Sequence, residues 1–146
     1  RVYSWGYGFH GELGHGDQPD QHTPKLIEGL VHTRIAGVAA GGLHSLALST
    51  AGAVYSFGCG SEGCLGHGDR EDQLEPKRIS ALSTVRVMHV GAAGDHSLVV
   101  DDAGGAHSFG FGGDGALGHG DETDRHTPTR IDALEGVRIV RACAGD

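Results

Sequence analysis

The chain is expected to be all-β, one short-stranded unit written three times around a common axis, and three observations carry that expectation. A glycine-rich string, Gly6 to Asp17, returns at Gly58 to Asp69 and again at Gly110 to Asp121, each time 52 residues on with no slippage. A fixed period of that length marks a repeat architecture. Short runs of β-forming residues flank the string, and no window holds the i, i+3, i+4, i+7 apolar spacing of a capped helix. One strand in each unit is made largely of Ala and Gly, as an inner strand crowded around an axis would require.

The units run from Val2 to Ala53, from Val54 to Gly105 and from Ala106 to Asp146, the last cut short. Each opens on a strand that alternates bulky and small residues: Val2-Tyr3-Ser4-Trp5, Val54-Tyr55-Ser56-Phe57 and Ala106-His107-Ser108-Phe109. A glycine loop follows, then a polar connector. Pro24, Pro76 and Pro128 come next, each suited to the start of an edge strand because proline has no N–H for a central ladder. Arg34 to Ala40 is the small-residue strand, and Leu43 to Leu48 the fourth, before Ala51-Gly52 turns the chain into the next unit. Four antiparallel strands per unit, small at the hub and carrying Trp5, Phe57 and Phe109 where neighbouring sheets diverge, describe the blades of a β-propeller.

Composition narrows the function classes. The net charge is −8 and the 11 basic residues are scattered singly, so no basic stripe exists to displace counterions from nucleic acid. No apolar run approaches the roughly 20 residues of a membrane span. Cys59, Cys64 and Cys143 are odd in number and occupy different phases of the repeat, which argues for reduced thiols in an intracellular setting rather than a disulfide framework. The Cys-x4-Cys spacing of Cys59 and Cys64 has no second pair to complete a zinc site, so both read as small buried or loop thiols.

Gly6, Gly8, Gly11, Gly14 and Gly16 recur as Gly58, Gly60, Gly63, Gly66 and Gly68, and as Gly110, Gly112, Gly115, Gly118 and Gly120. The spacing matches a dinucleotide fingerprint literally. That fingerprint needs a helix after its third glycine, and two further glycines here would unravel one. Calcium is equally disfavoured, because no dense set of oxygen ligands accompanies the aspartates, which suit Asx-turns instead. Neither a cofactor nor a metal is expected, and the glycines are assigned to the scaffold.

His15, His67 and His119 share one phase of the loop, and His44 and His96 another. Equivalent histidines on successive sheets stand about 10 Å apart, too far to share a metal, so hydrogen-bonded structural imidazoles are expected. Full protonation of the eleven histidines moves the charge from −8 to +3, so sensitivity to acid follows. Ser45 and Ser97 follow His44 and His96 directly and face the opposite side of the strand. These recurring Ser/His neighbours therefore cannot hydrogen-bond as a triad demands, and no catalytic set is expected.

The combination of Tyr-Ser-Trp-Gly, Gly-x-Leu-Gly-His-Gly-Asp, Asp-x-x-x-Pro and Ala-Gly-Gly-Leu-His-Ser-Leu-Ala-Leu resembles the regulator-of-chromosome-condensation repeat family along the whole chain. The resemblance implies a seven-bladed propeller of four-stranded blades, of which about three are present, and hence the remaining blades of the same propeller as a first partner. Family members include an exchange factor for the small GTPase Ran, a plant UV-B photoreceptor with a tryptophan cluster, interaction domains of large ubiquitin ligases, kinases and ciliary proteins, and a bacterial β-lactamase inhibitor. With the single tryptophan Trp5, sensing by clustered indoles is disfavoured.

The expected function is a protein-interaction scaffold in the cytoplasm, nucleus or cilium, with exchange on a Ran-like GTPase and an architectural role in a large assembly as alternatives. Contacts are expected where the units disagree: Phe9, His10, Glu12, Ser61, Glu62 and Asp114.

Overall fold

A computed structural model describes residues 1–145; the final residue of the third unit lies outside the described residues. Ten strands are present: β1 (Tyr3–Gly6), β2 (Gln21–Leu26), β3 (Ile35–Ala40), β4 (His44–Ser49), β5 (Val54–Gly58), β6 (Gln73–Arg78), β7 (Val87–Ala93), β8 (His96–Asp101), β9 (Ala106–Gly110) and β10 (Arg125–Arg130). The only helical pieces among the described residues are three-residue 3₁₀ turns, such as Glu28–Leu30 and Ser80–Leu82. No helix among them is long and apolar enough to cross a membrane.

The strands form three antiparallel sheets, ordered β1-β2, β3-β4-β5-β6 and β7-β8-β9-β10. Each four-stranded sheet therefore takes two strands from one sequence unit and two from the next. The reason is the length of the connections. Ser49 and Ala53 close a tight hairpin, Ser49 N–H donating to Ala53 O at 2.8 Å, so β4 and β5 must pair. The passage from β2 to β3 instead runs through a 3₁₀ turn and delivers the chain to the next sheet. In β2, β6 and β10 the prolines sit on the outermost strand. The ladder shifts register there, for example between Ser4↔Lys25 and Gly6↔Gln21, because proline cannot donate to it.

Apolar side chains fill the gaps between sheets. Ile27, Leu30, Ala47 and Phe57 pack between the first and second sheets. Leu46, Leu48, Val54, Ile79, Leu82, Val87, Val99 and Phe109 pack between the second and third. Phe109 is fully buried, while Trp5, the same position of β1, is 60% exposed, with none of the described sheets packed over it. Burying a phenylalanine here stabilises by about 3 kcal/mol. At the inner edge β3 and β7 approach closely enough for Gly42 N–H to donate to Gly94 O at 2.9 Å. A Cβ on Gly91 would come within 3.2 Å of Ala142 O, so the small residues are what the hub admits. The blades fan around that hub as a propeller arc.

Candidate functional site

The three glycine loops, residues 7–20, 59–72 and 111–124, lie in sequence between the paired strands β1-β2, β5-β6 and β9-β10. Each is closed by its recurring aspartate, whose Oδ1 accepts the N–H of Gly8, Gly60 or Gly112 at 3.0, 2.8 and 2.8 Å from Asp20, Asp72 and Asp124. The Asx-turn role falls to Asp69 and Asp121, which accept the N–H two residues on, from Glu71 and Thr123.

The recurring serine of the first strand ties the far side of each loop. Ser4, Ser56 and Ser108 donate to the carbonyls of Leu13, Leu65 and Leu117 at 2.5, 2.7 and 2.7 Å. With that proton committed, the serine oxygen accepts from Nε2 of His15, His67 or His119, at 3.0, 2.9 and 2.9 Å. Burial lowers the pKa of all three histidines, helped by Lys25, Lys77 and Arg125 respectively, so each imidazole is held neutral with its proton on Nε2.

The first two loops also grip the following unit. Gly16 N–H donates to Leu74 O at 2.9 Å and Gly68 N–H to His126 O at 2.8 Å. Gly14 (φ +73°) and Gly66 (φ +75°) lie flat against the rings of Phe57 and Phe109, where a Cβ would stand 2.9 Å from ring carbons. These two positions need glycine twice over, for the left-handed backbone and for the missing side chain.

A buried serine–histidine contact does form, though not between sequence neighbours. Sequence neighbours His44 and Ser45 do not pair, but His44 Nε2 lies 2.8 Å from Ser97 Oγ of the next sheet. Strand alternation constrains partners within a strand; it does not prevent one blade's face from meeting another's. The pair is not a nucleophile and base. Ser97 is fully buried and donates to Cys64 O at 2.9 Å, so its oxygen accepts the His44 proton. Desolvation, with His96 nearby, lowers the pKa of His44 to about 4, and its Nδ1 has no partner among the described residues.

The six contact candidates divide. Phe9 is 57% exposed, stacks on Tyr7 with centroids 6.4 Å apart, and meets His10 edge-on at 5.2 Å. His10 Nδ1 lies 3.5 Å from Asp72 Oδ2. Glu12 points inward, its Oε2 accepting the His10 N–H at 2.8 Å, and Ser61 accepts from the Cys59 thiol at 3.2 Å. Glu62 and Asp114 hold left-handed backbones, φ 57° and 56°. Glu62 stands 3.7 Å from Arg70, whereas Asp114 is exposed to solvent. Sequence reasoning missed three residues: Cys59 and Asp72, brought to His10, and Arg70, set between Glu62 and Asp124. The disagreements Gln18/Arg70 and Tyr7/Cys59/Phe111 between units were the available signal.

Radial antiparallel sheets joined by such loops define a repeat β-propeller whose recurring side chains are engaged with its own backbone. Residues 1–48, 51–100 and 103–146 match the Regulator of chromosome condensation (RCC1) repeat, and the chain belongs to that family. It is 40% identical over 144 residues to the Ultraviolet-B receptor UVR8 of Arabidopsis thaliana, covering 99% of this chain and 33% of the receptor. It is 42% identical over 147 residues to the E3 ubiquitin-protein ligase HERC2 of Homo sapiens, covering 99% of this chain and 3% of the ligase. The chain thus spans a third or less of these relatives. Among solved structures, human WBSCR16 superimposes with a TM-score of 0.85 at 28% identity, covering 99% of this chain and 38% of that one. Prp20p from Saccharomyces cerevisiae, described with its binding properties to Gsp1p and histones, gives 0.82 at 30% identity, covering 98% and 37%.

Proposed function

We propose that the chain is part of a protein-interaction scaffold that presents its glycine-loop tips to a partner protein. One observation carries this reading. The recurring residues of each loop are committed to internal bonds, whereas Phe9 and Asp114, at positions where the units differ, are exposed. An exposed phenylalanine stacked on a tyrosine is the kind of anchor that protein interfaces favour. A cleft of about 360 Å3, bounded by Trp5, Tyr7, Glu12, Val38 and Ser45, opens beside it. The free cysteines fit the reducing cytoplasm or nucleus.

Phe9→Asp and Asp114→Lys in the full-length protein should each reduce the protein recovered with it in affinity capture, while Glu135→Lys, at an exposed turn, should not. Capture unchanged by both loop variants would remove the reading. A second reading, exchange on a Ran-like small GTPase, is favoured by the likeness to Prp20p, whose structure is described with binding to Gsp1p. Exchange needs no nucleophile, since it works by favouring the nucleotide-free state. Absence of accelerated fluorescent-GDP release from a panel of small GTPases by the full-length protein would exclude it.

A further inference from the structure

We propose that His10, Cys59 and Asp72 form a zinc site that clips the first glycine loop to the second. A histidine nitrogen, the Cys59 sulfur and an Asp72 oxygen lie within 4.8 Å of one another. The separation of His10 Nδ1 and Asp72 Oδ2, 3.5 Å, is close to the roughly 3.4 Å edge of a tetrahedron with metal–ligand bonds of about 2.1 Å. Closing the sulfur onto the same centre needs only a movement of about 1 Å by the thiol.

The three donors are already held in place. Asp72 Oδ1 accepts the Gly60 N–H at 2.8 Å, which leaves Oδ2 directed at His10. The backbone N–H groups of His10 and Cys59 donate to Glu12 Oε2 at 2.8 Å and to Leu43 O at 2.9 Å, which fixes the main chain that carries these two side chains. The bond to Asp72 Oδ1 is of the kind that orients a metal ligand. A mixed nitrogen, sulfur and oxygen set suits borderline Zn2+ better than hard Ca2+ or Mg2+. On binding, the Cys59 thiol proton passes to solvent and the Ser61 hydroxyl, now its acceptor at 3.2 Å, turns to donate to the thiolate. Zinc with one thiolate, one carboxylate and a neutral imidazole carries no net charge, which suits a half-buried site. The fourth position falls to water, since the His10 and Asp72 side chains are 29% and 41% exposed.

The next pair of loops shows what this place accommodates. Fifty-two residues on, His10 and Asp72 become Glu62 and Asp124, and Cys59 becomes Phe111. Between those two carboxylates sits a cation, the Arg70 guanidinium, with Nη2 3.7 Å from Glu62 and 3.4 Å from Asp124. The counterpart of Arg70 in the first loop is Gln18, whose amide turns away to donate to Phe9 O at 2.7 Å. One junction is bridged by an arginine. At the other, three substitutions remove the arginine and set an imidazole and a thiol beside the shared aspartate.

The test titrates the chain with Zn2+ by calorimetry and with Co2+ as a spectroscopic stand-in. One equivalent should bind, with a thiolate-to-cobalt charge-transfer band and tetrahedral ligand-field bands. Cys59→Ser should abolish the charge-transfer band and weaken zinc by at least about 100-fold. Cys143→Ser should change neither. Asp72→Asn keeps an acceptor for the Gly60 N–H and should weaken zinc without unfolding the loop. Gln18→Arg leaves all three ligands intact and should also weaken zinc, by placing a guanidinium between His10 and Asp72. A cobalt spectrum without the thiolate band, or zinc affinity unaltered in Cys59→Ser and Gln18→Arg, would overturn the proposal.

Discussion

Replacing Gly66 by alanine isolates the contact on which the joint between the second and third sheets depends. Gly66 and Gly118 occupy the same loop position with the same φ of +75°, so the left-handed backbone penalises alanine equally at both, by about 1 kcal/mol net of the gain from a stiffer unfolded chain. Their surroundings differ. A Cβ on Gly66 would lie 2.9 Å from Phe109 Cε2 and 3.2 Å from Pro128 Cδ, well inside the roughly 3.5–4.0 Å of favourable carbon contact. On Gly118 the nearest atom, Ile131 Cγ2, is 3.6 Å away. Phe109 is fully buried and cannot swing aside, so overpacking adds about 1–3 kcal/mol at Gly66 alone. At about 3 °C per kcal/mol for a chain of this size, Gly66→Ala should lower Tm by roughly 10 °C and Gly118→Ala by about 3 °C. Circular dichroism melts of the two variants measure the difference. Phe109→Ala should relieve most of the added cost of Gly66→Ala, a coupling visible in a double-mutant cycle. Equal shifts in the two glycine variants, or additivity with Phe109→Ala, would refute the reasoning.

Other expectations concern the buried polar links. His44 titrates near 6.5 when unfolded and near 4 in the fold, so unfolding takes up a proton between those values. Its contribution is complete above pH 6.5 and falls by about 3 kcal/mol as pH drops to 4, with His15, His67 and His119 acting in the same direction. Urea melts across that range check it; a midpoint independent of pH would contradict it. Ser97→Ala strands the Cys64 carbonyl and the His44 N–H and should cost about 2–4 kcal/mol. Ser45→Ala, which removes one half-buried bond to Glu12 O, should cost about 1 kcal/mol in the same melts, and a reversed order would contradict the assignment. Burial, with Cys59 and Asp95 nearby, pushes the Cys64 thiol up to about 12, so maleimide should label exposed Cys143 long before Cys64 in the folded chain.

The architecture was legible because it was written three times. Period, strand number and the small-residue hub all follow from aligning the chain with itself, as does the stacking of Phe57 and Phe109 between sheets. What repetition conceals is how consecutive units are joined. The string Val54 to Gly105 reads as one unit, yet its β5 and β6 complete one sheet, paired to β4 through the Ala51-Gly52 hairpin, while its β7 and β8 begin the next. Strand alternation separates His44 from its neighbour Ser45 but does not say what His44 meets. Its partner lies 53 residues on, in another blade. The donor set His10, Cys59 and Asp72 was hidden for the same reason. It draws one residue from one loop and two from the next, and at two of those positions the units differ.

The claim beneath the fold and the functional reading is that the glycine loops are structural joints between consecutive units, leaving only their tips free to bind. Native-state hydrogen exchange of three equivalent amides tests this most directly. Gly16 and Gly68 donate to Leu74 O and His126 O of the following unit, whereas no backbone bond of this kind is recorded for Gly120 among the described residues. All three are exposed to solvent. Gly16 and Gly68 should exchange nearly as slowly as the core amides of Leu46 and Val99, and Gly120 at the rate of an open loop. Fast exchange at Gly68, matching Gly120, would contradict the account.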